Sequence, residues 1–151
     1  MNQVAAKAPI HLWIVGVVSL LWHVAGAYDY VQTQRMDQGH LQMAADLVNI
    51  EYAEMVAYLE SFPLWGNAFW AIGIWGAVLG STLLLLRSRY AFHVFAVSAV
   101  GILISGYYQM TYPIPGSGDA TVPFVMMVVV VAIAAALVWY ARWMTVKGVL
   151  R

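Results

Sequence analysis

Four long apolar runs, each closed by polar or charged residues, set the plan of this chain. A helix needs about 20 apolar residues to cross roughly 30 Å of hydrocarbon. The first run extends from about Ile10 to Tyr30, just after Pro9, where a missing N–H leaves no helical bond unmade. The second extends from Leu64 to Leu86 and stops at Arg87-Ser88-Arg89. The third extends from Tyr90 to Tyr108, and the fourth from about Pro123 to Ala141, with Thr121 as a candidate cap. So little chain separates runs two and three that they must form a tight helical hairpin.

A different pattern fills the stretch from Val31 to Pro63. Leu41, Ala44, Leu47, Val48, Met55, Leu59 and Phe62 recur at helical spacings, with Asp46, Glu51, Glu54 and Glu60 between them. This predicts one amphipathic helix over about 40–61, whose apolar stripe lies on the end of the bundle as a lid. Its acidic face argues against docking on anionic lipid. The second loop on this side, Gln109 to Ala120, holds Pro113, Pro115, Gly116 and Gly118 and is expected to be irregular.

Charge then orients the spans. Lys7, Arg87, Arg89, Arg142, Lys147 and Arg151 fall on one side, Arg35 alone on the other, and all acids lie at or beyond the opposite ends. The positive-inside rule places both termini and the Arg87–Arg89 turn in the cytoplasm. Lys7, the apolar run after it and Ala25-Gly26-Ala27 also have the look of a cleavable leader. The run is longer than a leader core, and Trp22 and His23 stand just before the small residues, so it reads as a span. The expected fold class is an all-α integral membrane protein: four transmembrane helices plus an amphipathic extracytoplasmic helix. Residues 1–151 form a single four-helix domain in a bacterial inner membrane.

Composition agrees. Apolar residues are 63% of the chain and charged ones 9%, against roughly 25% charged in a soluble domain. A net charge of zero predicts no nucleic-acid partner. The absence of cysteine removes disulfides, thiolate metal sites and thiol nucleophiles. Membrane lipids are the expected partners.

Small residues mark the packing faces. Gly73, Gly76, Ala77, Gly80 and Ser81 lie on span two, and Ser98, Gly101 and Ser105 on span three. Such faces bring helix backbones close in lipid. The plain reading is a self-contained bundle; the sharper one is a seal against a larger membrane complex or a second copy in a homo-oligomer.

Polar residues within the spans are the candidates for chemistry, because an ionisable group in hydrocarbon is costly. His23 lies about 10 Å below Tyr30 along span one. Asp29 and Tyr30 on span one, Asn67 and Trp70 on span two, and Ser105, Tyr108 and Gln109 on span three converge with it under the expected lid. A cavity there would hold an amphipathic ligand, its head toward Asp29 and Gln109. Otherwise His23 simply satisfies a neighbouring hydroxyl or carbonyl. His11 and His93, at matching depth near the other ends, are the one pair that could ligate a haem. No acid or thiol accompanies them, and neither metal nor cofactor is expected. Span four has no polar side chain from Phe124 to Val138, so a continuous polar path is not expected.

Phe62-Pro63-Leu64-Trp65, Ala68, Gly73, Gly76, Gly80, the Leu83–Leu86 run, Arg87, Arg89 and Ala91, with Leu21-Trp22 and Gly26, carry a resemblance. They resemble a loose group of small four-span proteobacterial inner-membrane proteins of unestablished function, whose members often bear the label "sugar transporter". A weaker likeness is to DoxX-like four-helix proteins, which are linked to membrane redox partners. The resemblance covers spans one to three and implies no catalytic residue. The expected role is a non-enzymatic binding or accessory subunit holding a lipid- or quinone-like amphipathic ligand near the periplasmic leaflet. The alternatives are a carrier of small neutral solutes and a redox-associated subunit.

Overall fold

The computed structural model describes residues 8–117 and 121–151; Lys7, Gly118 and Ala120, which figure in the sequence analysis, lie outside them. Among the described residues six helices follow in order: α1 (Ile10–Gln34), α2 (Gln38–Leu47), α3 (Tyr52–Glu60), α4 (Leu64–Leu85), α5 (Tyr90–Thr111) and α6 (Thr121–Val146). Four of them, α1, α4, α5 and α6, are long and apolar enough to cross a membrane. The protein is an all-α, multi-pass membrane protein.

Pro9 and Pro63, both extended, sit at the N-caps of α1 and α4, where proline sacrifices no helical bond. Thr121 is the first described residue of α6. α1 runs a turn beyond the expected end at Tyr30. Thr33 folds its hydroxyl onto the Asp29 carbonyl (2.9 Å), and Gln32 reaches the Tyr28 hydroxyl (3.3 Å), so the polar turn stays helical. The helix stops at Met36, whose φ of 53° leaves the right-handed region.

The single helix expected over 40–61 is instead two. Asn49 adopts φ 55°. Its N–H donates to the Asp46 carbonyl, and that of Ile50 donates to Ala45 (3.3 and 3.1 Å), the double closure that ends a helix on a left-handed residue. Asparagine tolerates that conformation better than other residues with a Cβ. Glu51 and Glu54 then form a capping box that starts α3. The break moves Ile50 into the small core of Leu41, Ala45 and Met55, while Leu47, expected in the stripe, is 76% exposed.

The spans pack in a row, α1 on α4, α4 on α5 and α5 on α6; α1 and α6 share no extended interface among the described residues. The α4–α5 seam is the tightest. A Cβ on Gly101 would stand 2.7 Å from both the Gly73 nitrogen and the Phe69 oxygen, and one on Gly76 2.9 Å from Ser98. Gly73 and Gly80 face Ile102 and Phe95 in the same seam. The small-residue faces are thus consumed inside the bundle.

At the Arg87 end the bundle closes. Leu12, Leu84, Phe95, Ala141 and Met144 form a buried core there. His11 Nδ1 bonds the Tyr140 hydroxyl at 2.6 Å and its ring stacks on Trp143, joining α1 to α6. Gly148, with φ 69°, turns the chain back. The Arg151 N–H then donates to the Arg87 carbonyl (2.8 Å) and that of Arg89 to Arg151 (3.2 Å), with Val149 and Leu150 buried beneath. Lys147 lies 3.8 Å from the Trp143 ring centroid.

Candidate ligand cavity

Helices joined only at one end must part at the other. Between α1 and α6 this leaves a cavity of about 560 Å³, reaching from Asp29, Gln109 and Pro123 down to Phe95 and Leu137. Along α5 that is fourteen residues, roughly 21 Å. The core at the Arg87 end makes its floor.

Its walls differ in chemistry. α1 and α5 carry the polar side chains: His23 and Asp29 on the first, Ser98, Ser105 and Gln109 on the second. The α6 wall is apolar throughout, from Pro123 through Met126, Met127 and Ile133 to Leu137. Met supplies a flexible, polarisable surface that moulds to irregular guests. Among the described residues, the lining holds one carboxylate and no lysine or arginine.

His23 stands near the middle of α1, eleven residues before Gln34, roughly 16 Å from that end. Its Nδ1 lies 2.8 Å from the hydroxyl of Ser81, which is wholly buried, and the Ala77 carbonyl is also within reach. Phe95 tilts over the ring with centroids 6.3 Å apart.

The serines of α5 spend their protons on backbone carbonyls. Ser98 donates to the Gly73 carbonyl (2.6 Å) and Ser105 to Ile102 (3.3 Å), leaving lone pairs as the groups on offer. Gln109 donates to the Ser105 carbonyl at 3.4 Å.

Of the eight residues expected to converge, His23, Asp29, Trp70, Ser105 and Gln109 line this cavity; Tyr30, Asn67 and Tyr108 do not. Tyr30 packs edge-on behind Trp70, ring centroids 5.0 Å apart. Asn67 and Gln34 satisfy each other's side-chain amides (2.7 and 3.2 Å) beside a separate pocket of only about 50 Å³. Tyr108 joins an aromatic cluster with Phe62 (4.7 Å), Trp65 and Tyr112. Burial, reinforced by repulsion from Tyr108, pushes the nearby Tyr58 hydroxyl up to about 12.

The lid is also placed differently. No residue of α2 or α3 lines the large cavity; Leu59 borders the small pocket instead. The pair is held beside α1, where His40 of α2 bonds the Asp29 carboxylate at 2.9 Å. The sequence assigned Ser81 and Ser98 to helix packing alone, and the whole α6 wall was passed over. The doublet Met126-Met127 was the one available signal for the last, inside a run that otherwise reads as featureless.

His11 and His93 share no partner. His11 is engaged by Tyr140 and Trp143, whereas His93 is exposed and packs against Tyr90 and Phe92. Among the described residues no group of three or more His, Cys, Asp or Glu gathers as a metal site would require. Comparison with protein-family models, with curated proteins and with solved structures finds no match for this chain.

Proposed function

We propose that this protein is a non-enzymatic binding subunit of a bacterial inner membrane that holds a lipid- or quinone-like amphipathic molecule within the bilayer. The cavity between α1 and α6 carries the reading. At about 560 Å³ it falls in the range of small-molecule sites, roughly 300–1,000 Å³. It combines an apolar wall with a few placed polar groups, and the parted helices give a ligand lateral access from the lipid. A blind floor at Leu12, Leu84 and Met144, all at most 1% exposed, favours holding over passage across the membrane. A carrier would need a path onward to the Arg87 side.

Charge supports an orientation. Arg87, Arg89, Arg142, Lys147 and Arg151 gather at one end, and Asp37, Asp46, Glu51, Glu54 and Glu60 at the other. With the basic end in the cytoplasm, the cavity mouth and the α2–α3 pair lie on the periplasmic side.

Extraction in a mild detergent, followed by mass spectrometry of the intact protein, tests the function. The expected result is one amphipathic small molecule per chain, lost from a Met127→Trp variant whose larger side chain fills the cavity. Equal retention by that variant would refute the reading. A reporter active only in the cytoplasm, inserted between α2 and α3, should be silent.

A further inference from the structure

The deepest polar side chains lining the cavity are His23, near the middle of α1, and Ser98 of α5, facing a space large enough to hold a guest. Such groups in hydrocarbon are expensive, and the cost is repaid most fully when something in the cavity bonds to them. The Asp29 carboxylate at the mouth and the absence of lysine and arginine from the lining, among the described residues, make the site hostile to anionic heads. A carboxylate or phosphate placed there would be desolvated without a counter-charge. Three aromatic side chains, Trp22, Trp70 and Phe95, also line it and suit a flat ring.

Resting on the ligand-holding reading above, we infer that the ligand is an uncharged amphiphile of the quinone or quinol type. It binds with its planar head inward, hydrogen-bonded to His23, and with its tail along Met126 and Met127 toward the lipid. This reverses the head-outward orientation that Asp29 and Gln109 alone imply. The neutral imidazole can either donate or accept according to tautomer, so it can meet a carbonyl or a hydroxyl. Ser81 positions the ring: its hydroxyl lies 2.8 Å from Nδ1 and matches either tautomer, donating to a bare nitrogen or accepting from a protonated one.

The test uses the full chain in detergent and two probes of opposite head charge, decylubiquinone and hexadecanoate. Native mass spectrometry should show one decylubiquinone per chain and at least tenfold weaker hexadecanoate binding. His23→Phe should weaken decylubiquinone at least tenfold. Ser81→Val should do the same, while Ser81→Thr, which restores the hydroxyl, should recover the affinity. The ¹⁵N resonances of the His23 ring in the unsubstituted protein should shift when decylubiquinone is added, a readout that survives even if a variant fails to fold.

Equal binding of the two probes, or bound decylubiquinone with no shift at His23, overturns this inference but leaves the cavity as a ligand site. If neither probe binds, or if Met127→Trp leaves binding unchanged, the underlying reading falls with it.

Discussion

Ser98 of α5 and Gly73 of α4 lock the centre of the bundle: the serine hydroxyl donates to the glycine carbonyl at 2.6 Å, across a seam in which neither backbone has a Cβ to spare. The bond is possible because Gly101, one turn along α5, rests directly on the Gly73 nitrogen. Small residues set the distance, and the hydrogen bond then exploits it. The same seam forms the back of the cavity.

The two contributions should separate on mutation. Ser98→Ala loses only the hydrogen bond, which in membrane bundles averages about 0.6 kcal/mol and reaches about 1.7. Gly101→Ala inserts a methyl against backbone atoms that cannot rotate away, and overpacking of this kind costs about 1–3 kcal/mol. Unfolding by graded SDS, followed by loss of helical circular dichroism, should rank Gly101→Ala as the more damaging. The opposite order would mean that the helices part easily at this point.

At Asn49 the left-handed backbone makes a prediction of opposite sign for two substitutions. Asn49→Gly should be neutral or slightly stabilising, since glycine adopts φ 55° without a Cβ penalty. Asn49→Val should destabilise the α2–α3 pair by about 1–3 kcal/mol, the usual cost of such a conformation for a bulky residue. Hydrogen exchange of the Ala45 to Met55 amides should rise in the valine variant alone.

The folded-back chain end predicts that Leu150→Ala will be costly. Leu150 is 3% exposed and joins the core of Leu12, Leu84 and Met144. Truncating a buried leucine costs about 2–5 kcal/mol. A fall in the thermal midpoint should accompany it, whereas Lys147→Gln, which removes only a surface cation–π contact, should change the midpoint far less. Equal effects would show that this segment does not pack as described.

Tyr58 gives a pH dependence. Its hydroxyl is held at about 12 against an ordinary 10.0, first by burial and then by Tyr108. The folded state therefore keeps its proton after the unfolded chain has released one. The stabilisation is complete below about pH 10 and is lost as pH rises toward 12. Tyr58→Phe should flatten the decline in stability across that window. An unchanged decline would assign it to other groups.

The spans were legible because lipid imposes a rule that can be read without coordinates. A chain in hydrocarbon must satisfy its own backbone, so each crossing is a helix of set length bounded by polar residues. Runs from Ile10, Leu64, Tyr90 and the neighbourhood of Pro123 obey it, and the glycines of α4 and α5 announced close packing. Local chemistry alone also ended α2 at Asn49, yet the apolar stripe from Leu41 to Phe62 masked the break, since helical periodicity survives a short interruption.

What needed the tertiary structure was every relation between helices. Depth along one helix does not say how far a neighbour is shifted or turned. Thus His23 meets Ser81 rather than the residues near Asn67, and Asn67 is spent on Gln34. The cavity itself is the clearest case. It exists because α1 and α6 meet through His11 and Tyr140 at one end and, among the described residues, have no interface at the other, and its largest wall is the stretch of α6 from Pro123 to Leu137, which has no polar side chain. Patterning marks residues that avoid water; it cannot mark a space that two such surfaces leave unfilled, because emptiness depends on the distance between them.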